Sequence, residues 1–368
     1  MVSTAVGGTT LVTNTYYDNN GLLKKSDYGN GYDELYVYDD LNRLSIEKQG
    51  NKVVRYYYDN NGNLATLDDR LSDIKHNYEY DFVGRLVRSF ATKDSANYLT
   101  TQIKYDDYNR VSQQKFILAD GTKQNYSYNY TKDNLLGSAT LPNSKYLSYT
   151  YDALNRPVLK VISGPNATAC TENYSYLSTG SATTSLVSQI IYSGGDKLSY
   201  GYDDLNNITS VTNENGTRIT YEYDGLGQLV RENNQYVNKT YMYNYDKGGN
   251  ITAVRTYSYT TGEISGAPNG IATYTYGDST WKDKLTSYNG TAITYDSIGN
   301  PLNYRNGTLT WNGRRLASYT SSSGTATNYT YNSDGVRVGK SGSKNVSYVV
   351  SGTQILSETN GTTTTLNV

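Results

Sequence analysis

The sequence predicts an all-β protein, an antiparallel ribbon of short β-hairpins repeated along the chain. Three observations lead there: a Tyr-Asp motif in a fixed register, an excess of tyrosine, and a shortage of aliphatic residues. The string Tyr-Asp-x-x-(Gly or Asn) occurs ten times, at Asp18, Asp39, Asp59, Asp81, Asp106, Asp152, Asp203, Asp224, Asp246 and Asp296. The chain's own residue frequencies give roughly 0.6 such matches by chance, so a repeat of 20 to 50 residues decides the architecture. Of the 368 residues, 42 are tyrosine, against 3 phenylalanines and 2 tryptophans. Without tyrosine, the 36% hydrophobic content falls to roughly 25%, too little for an ordinary aliphatic core throughout.

Successive aspartates lie 21, 20, 22, 25, 46, 51, 21, 22 and 50 residues apart. The three long intervals are about twice the short ones, so each is expected to hold a degenerate copy. The candidates are Tyr128-Asn129-Tyr130-Thr131, Tyr174-Ser175-Tyr176 and Tyr274-Thr275-Tyr276. The pattern continues through Trp311-Asn312-Gly313-Arg314-Arg315-Leu316 and Tyr329-Thr330-Tyr331-Asn332. The expected organisation is a single domain over 1–368, with repeats over 15–280 and a distinct C-terminal stretch over 281–368.

Within each unit, the residue three before the aspartate pairs with the tyrosine directly before it. In the copies Tyr36/Tyr38, Tyr56/Tyr58, Tyr78/Tyr80, Tyr149/Tyr151, Tyr200/Tyr202 and Tyr221/Tyr223 both are tyrosine, and residues i and i+2 of a strand share a face. In the last full copy Ile293 precedes Tyr295. Asp39, Asp59, Asp81, Asp152, Asp203, Asp224 and Asp296 then start turns, because a short carboxylate bonds backbone amides two residues on. Gly84, Gly227 and Gly299, or asparagine in their place, tolerate positive φ at the end of the turn. A polar and then an aliphatic residue, as in Asn42-Arg43-Leu44, resume an extended segment. Each unit of about 22 residues therefore reads as two strands and two turns, giving some thirty strands in all. Accumulated twist makes such a ribbon curl or close, and tyrosine ladders take over part of its cohesion, the ring covered and the phenol oxygen wet.

These residues carry a resemblance. YVYDDLNRL (Tyr36 to Leu44), YEYDFVGRL (Tyr78 to Leu86) and YEYDGLGQL (Tyr221 to Leu229) resemble the YD repeats of RHS (rearrangement hotspot) proteins. Ile293 to Tyr319 and Tyr329 to Lys340 resemble the stretch leading into the RHS-associated core, in the style of cell-wall-associated RHS proteins. The resemblance implies a ribbon spiralling into a fully or partly hollow YD-repeat shell, as in teneurins and insecticidal toxin complexes. It implies a structural, non-enzymatic bacterial protein that encloses or presents a C-terminal toxin of a polymorphic toxin system, secreted or held at the cell surface or cell wall. The implied partners are a toxin polypeptide, in cis or in trans, or further shell repeats, with self-association through open strand edges. Further repeats, the end of the core and a variable toxin would be expected beyond Val368. Self-cleaving relatives carry an Asp-Pro-containing motif, and this chain has no Asp-Pro dipeptide, its five prolines following Leu141, Arg156, Gly164, Ala267 and Asn300.

Other functions find little support in composition. With 33 basic and 34 acidic residues the chain lacks the basic excess of a nucleic-acid binder. One cysteine, Cys170, and one histidine, His76, supply neither a disulfide nor a zinc site, and no cofactor is expected. No catalytic or metal-binding residue is assigned. His76 reads as an exposed or packed strand residue and Cys170 as a spare thiol in an irregular stretch over 162–199. Asp18-Asn19-Asn20-Gly21 and Asp59-Asn60-Asn61-Gly62 read as turns, since the calcium-loop pattern is absent. No signal peptide is readable in the first residues, and a mean hydropathy of −0.67 leaves no apolar run of the ~20 residues a spanning helix needs. The alternative function is a cell-surface adhesion or carbohydrate-binding module using outward tyrosines. Glucan-binding repeats of similar length use tryptophan in nearly every unit, however, and here there are only Trp281 and Trp311.

Overall fold

The computed structural model describes residues 1–180 and 182–367. Among the described residues there are 34 strands and a single three-residue 3-10 turn at Pro142–Ser144. The strands form a 26-stranded sheet, not closed on itself, and an 8-stranded sheet. Sequence neighbours pair antiparallel, as Asp33–Tyr38 does with Leu44–Gln49 and Arg218–Tyr223 with Leu229–Asn234. Strand therefore follows strand without crossover, as hairpin chemistry at each turn requires.

At the repeat turns the register shifts by one residue directly before the tyrosine, for example between Val37 and Tyr38, Glu79 and Tyr80, and Glu222 and Tyr223. Asn42 N–H donates to Asp39 O and Asp39 N–H to Arg43 O, both at 2.9 Å. With Asn42 at φ 61°, this is a type I turn closed by a left-handed residue, the three-residue hairpin loop that carries a bulge.

Contacts group the chain into two compact units. The first comprises Met1–Asn125, Ser279–Trp281 and Ile293–Val368. In it the 8-stranded sheet packs on the strands of the first repeats. Leu11, Val54, Leu67, Ile74, Ala91, Leu99, Phe116 and Leu118 are buried there together with Ile298, Val338, Val346, Tyr348 and Leu356. Polar bonds pin the same interface: Tyr98 Oη to Tyr348 O (3.0 Å), Gln124 Nε2 to Leu356 O (2.9 Å) and Ser333 N–H to Asp69 Oδ2 (2.8 Å). Aliphatic residues are scarce overall but concentrated here, so this unit holds a conventional two-sheet core.

The second unit comprises Tyr126–Asp278 and Lys282–Ala292. Among its described residues only Tyr126, Ala139, Pro142, Ser210, Asn233, Thr240 and Ala253 are buried. Part of that set is a polar knot. Thr240 Oγ1 donates to Asn233 Oδ1 (3.1 Å), and Arg231 reaches both Asn233 Oδ1 (2.8 Å) and Thr260 O (2.9 Å). The stretch expected to be irregular is instead three long strands, Pro157–Gly164, Ala167–Thr179 and Ala182–Tyr192. Regular pairing carries through it because register shifts at Ser175/Tyr176 and Tyr176/Ser178 absorb the extra residues.

Candidate functional site

The recurring chemical unit is the turn itself. Asp39 Oδ1 accepts from the amides of Leu41 (3.0 Å) and Arg43 (2.9 Å), while Oδ2 takes Arg43 Nε at 2.7 Å. Asp81 with Val83 and Arg85, Asp106 with Tyr108 and Arg110, and Asp152 with Leu154 and Arg156 repeat this pattern. At Asp59, Asp203, Asp246 and Asp296 an asparagine four residues on replaces the arginine, its Nδ2 at 2.8–3.1 Å from Oδ2. Asp224 caps the amides of Leu226 and Gln228, both at 2.9 Å. The residue three after each aspartate has positive φ, including Gly84 (84°), Gly227 (76°) and Gly299 (85°). At the first copy the turn is offset, Tyr17 N–H donating to Leu22 O at 2.9 Å.

The side-chain bonds from Arg43, Asn63, Arg156, Asn207 and Asn250 hold the carboxyls of Asp39, Asp59, Asp152, Asp203 and Asp246 below the usual carboxylate range, with the backbone amides adding to the effect. At Asp81 and Asp106 partial desolvation opposes the shift and the arginine bonds outweigh it.

The hydroxyl of the tyrosine before the aspartate is not simply wet; in most copies it makes a specific bond. Tyr58 Oη donates to Leu44 O (2.8 Å), Tyr80 to Leu64 O (2.9 Å), Tyr105 to Leu86 O (2.9 Å), Tyr151 to Leu136 O (2.9 Å), Tyr223 to Ile208 O (2.8 Å) and Tyr245 to Leu229 O (2.7 Å). Tyr202 reaches Val187 O at 2.7 Å. In most copies the acceptor lies five residues after the preceding turn's aspartate, so each phenol ties its own repeat to the one before. Where that turn supplies an arginine, the guanidinium also covers the ring: Arg43 over Tyr58 (4.3 Å), Arg85 over Tyr105 (4.6 Å) and Arg156 over Tyr176 (4.1 Å). Carboxylate, guanidinium, ring and backbone carbonyl thus form a latch between successive hairpins, its cation stacked on the ring face. Tyr38 meets Tyr17 edge to face at 6.1 Å.

The degenerate copies divide. Thr131 replaces the aspartate with the turn intact, Leu135 N–H donating to Thr131 Oγ1 (3.2 Å). Tyr176 lies within a strand rather than before a turn, yet its hydroxyl still reaches Pro157 O (2.7 Å). Tyr276 likewise bonds Ile251 O (3.1 Å), and Trp311 Nε1 takes the tyrosine's place on Pro301 O (2.7 Å).

The other tyrosine of each pair sits deeper. Tyr36 Oη bonds Glu34 (2.9 Å) and Tyr56 Oη bonds Glu47 (3.0 Å). Burial, then these carboxylates, push both phenols upward. Burial does the same to Tyr78, aided by Asp334. Tyr149 packs on Tyr151 with ring centres 6.1 Å apart, and burial raises Tyr200 and Tyr221. Tyr295 bridges to Pro301 at the last full copy.

His76 stacks on Tyr78 (6.2 Å, 10° between planes). It lines a cavity of about 230 Å³ with Asp69 and Asp334 inside the first unit, and burial lowers its pKa. Cys170 is exposed on its strand.

Residues 187–234, which include the copies at Asp203 and Asp224, match the family model described as RHS Repeat. That segment matches an RHS repeat. No curated protein matches the chain. Among solved structures the chain is similar to the crystal structure of TcdB2-TccC3-TEV, at 16% identity and a TM-score of 0.54, over 95% of this chain and 22% of that one. A structure of TcdB2-TccC3 without its hypervariable C-terminal region aligns at 15% identity and a TM-score of 0.47, over 96% of this chain and 23% of that one. A Photorhabdus luminescens Tc holotoxin pore aligns at 15% identity and a TM-score of 0.44, over 94% and 24%. The first likeness shows a shared fold, and this chain spans 22% of the length of that relative. No helix among the described residues is long and apolar enough to cross a membrane.

The sequence reading misses two parts of the latch. One is the residue four after each aspartate, whose restriction to Arg, Asn and Gln in nine of the ten copies was a readable signal. The other is the carbonyl acceptor of the phenol, which has no side-chain signature.

Proposed function

We propose that this RHS-repeat chain is a structural wall segment that encloses or presents a toxin polypeptide of a bacterial toxin system, in cis or in trans, outside the producing cell. The observation that carries the reading is the serial latch. The Asp-turn recurs from Asp39 to Asp296 and the tyrosine-carbonyl bond from Tyr58 to Tyr276, tying hairpin to hairpin rather than converging on one pocket. Such an arrangement suits a wall, whereas catalysis needs an asymmetric set of groups around one reacting atom. The likeness to a TcdB2-TccC3 structure over 95% of the chain supports the same reading. No observation favours the carbohydrate-binding alternative over it.

The test is protease protection. A flexible reporter polypeptide is joined to the C-terminus of the full chain and digested beside the free reporter. A half-life at least tenfold longer for the joined reporter is expected. Equal half-lives would refute enclosure by this chain.

A further inference from the structure

Four repeat turns carry an arginine four residues after the aspartate, and each arginine is paired within its own turn. Arg43, Arg85, Arg110 and Arg156 lie 2.6–2.7 Å from the carboxylates of Asp39, Asp81, Asp106 and Asp152. Arg315 occupies the corresponding place in the 8-stranded sheet. Trp311 pairs with Leu316 as Tyr38 pairs with Leu44, and Tyr331 Oη donates to Leu316 O (3.0 Å) as Tyr58 Oη does to Leu44 O. A methyl group on Gly335 would lie 3.5 Å from Arg315 Nε, as one on Gly62 would lie 3.8 Å from Arg43 Nη1. The turn before Arg315 is shorter, however, and reads Asn312-Gly313-Arg314. Asparagine stands where the other four turns have aspartate.

Arg315 is thereby left without its anion. It has no ion pair, and its guanidinium bonds Gln49 Oε1 alone, through Nη1. The acids around it are committed elsewhere: Glu47 accepts from Tyr56 and Gln49, and Glu34 from Tyr28 and Tyr36. Among the described residues no enclosed side-chain nitrogen lacks a partner, so the unbonded Nε and Nη2 are reachable from solvent. They are reachable through a cleft of about 540 Å³ in the first unit, which Arg315 lines with Tyr32, Asn51, Lys52, Asn312 and Tyr329. The cleft is rich in donors. The Tyr32 hydroxyl has no protein partner, and burial first and Glu34 second push its pKa up to about 12, so it keeps its proton. Lys52 adds a second cation, held only by Asp73 at 3.9 Å with both side chains about half exposed, a geometry that gives a weak pair.

We infer that this cleft binds a small organic carboxylate, whose charged group takes on Arg315 the place that aspartate fills in the other four turns. The planar guanidinium fork matches a carboxylate with two parallel bonds, and the chain itself uses that pairing at every other arginine of this position. Tyr32 and Lys52 offer further donors to the same anion. A cleft of this volume accommodates a ligand body of ring size beyond the charged end, beside Tyr329 and Leu316. The site stands independently of toxin enclosure.

Isothermal titration calorimetry on the full chain tests it. The probes are two matched pairs, D-glucuronate against methyl glucoside and benzoate against benzyl alcohol, together with inorganic phosphate. At least one carboxylate is expected to bind about tenfold or more tightly than both its uncharged partner and phosphate, and Arg315→Gln to weaken it by a similar factor. Asn312→Asp, which returns the acid to the turn beside Arg315, should weaken it likewise, and it is read in place of Arg315→Gln if that variant loses its melting transition. The inference is overturned if no carboxylate binds, if none binds more tightly than its uncharged partner and phosphate, or if the variant read keeps the wild-type affinity.

Discussion

The stacking of Arg43 on Tyr58 gives a sharp test of the latch. Three interactions meet there: the Arg43 bond to Asp39 (2.7 Å), the guanidinium over the Tyr58 ring (4.3 Å) and the Tyr58 hydroxyl on Leu44 O (2.8 Å). Tyr58→Phe removes only the last. A net hydrogen bond contributes about 0.5–1.5 kcal/mol, and at roughly 2–4 °C per kcal/mol for a unit of this size the melting temperature should fall by about 1–6 °C. Tyr58→Leu removes the aromatic face as well, adding about 0.5–1 kcal/mol for a stacked cation at a partly exposed site. Arg43→Gln removes the cation. In a double-mutant cycle by urea denaturation, Arg43→Gln and Tyr58→Leu should couple by about 0.5–1 kcal/mol, while Arg43→Gln and Tyr58→Phe should not couple, since phenylalanine keeps the ring. Zero coupling in the first cycle, together with an unchanged Tyr58→Phe, would refute the latch and return Tyr58 to the role of a packing ring.

The remaining expectations concern the turn. Asp224→Ala should destabilise by about 0.5–2 kcal/mol through loss of two amide caps, and an unchanged melting curve would contradict this. Gly227→Ala and Gly299→Ala replace glycines with nearly equal positive φ, but an added methyl at Gly227 meets open space whereas at Gly299 it lies 2.3 Å from the Trp281 ring. Circular-dichroism melts should show a cost of about 1–2 kcal/mol at Gly227 and a clearly larger one at Gly299; equal costs would remove Trp281 from this turn. Ile298→Ala should cost about 2–5 kcal/mol as a core truncation, while Leu226→Ala leaves the melting temperature of dilute protein unchanged. Stability should also narrow at both ends of the pH scale. The depressed carboxyls of Asp39, Asp59, Asp152, Asp203 and Asp246 contribute stability that is present above their ordinary value of 3.8 and lost as pH falls through their lowered values. Tyr32 and Tyr243, both pushed up to about 12 by burial first and Glu34 or Glu232 second, contribute stability present below 10 and lost as pH rises toward 12. Melting temperatures flat across both limits would contradict these assignments.

Much of the fold was legible because its signals are local. Period-two tyrosines, an aspartate and a residue tolerant of positive φ define a hairpin wherever they recur, and Asp39 to Asn42 adopts the turn that its side chains dictate. Thr131 shows how far the signal degrades before it fails: a hydroxyl still caps Leu135, so the turn survives without the carboxylate. At Tyr176 no capping side chain follows, the turn is absent, and only the phenol bond persists. What was not legible is long-range. Nothing local in Val54, Phe116 or Leu356 says that each is fully buried, since their burial depends on the C-terminal sheet folding back over the first repeats. The phenol acceptors were hidden for a related reason: a backbone carbonyl leaves no mark in a sequence, so a hydroxyl fixed on Leu64 O reads like one in water.

The serial latch is tested most directly by removing its hydroxyls together. In the second unit, Tyr151, Tyr176, Tyr202, Tyr223, Tyr245 and Tyr276 all donate to backbone carbonyls. Replacing all six by phenylalanine keeps every ring and removes every bond, a summed loss of about 3–9 kcal/mol at 0.5–1.5 each. Calorimetry should then show the melting transition of that unit lowered by 10 °C or more, or lost at room temperature. A sixfold variant melting within about 2 °C of the wild-type chain would contradict the proposal that tyrosine hydroxyls hold consecutive repeats together.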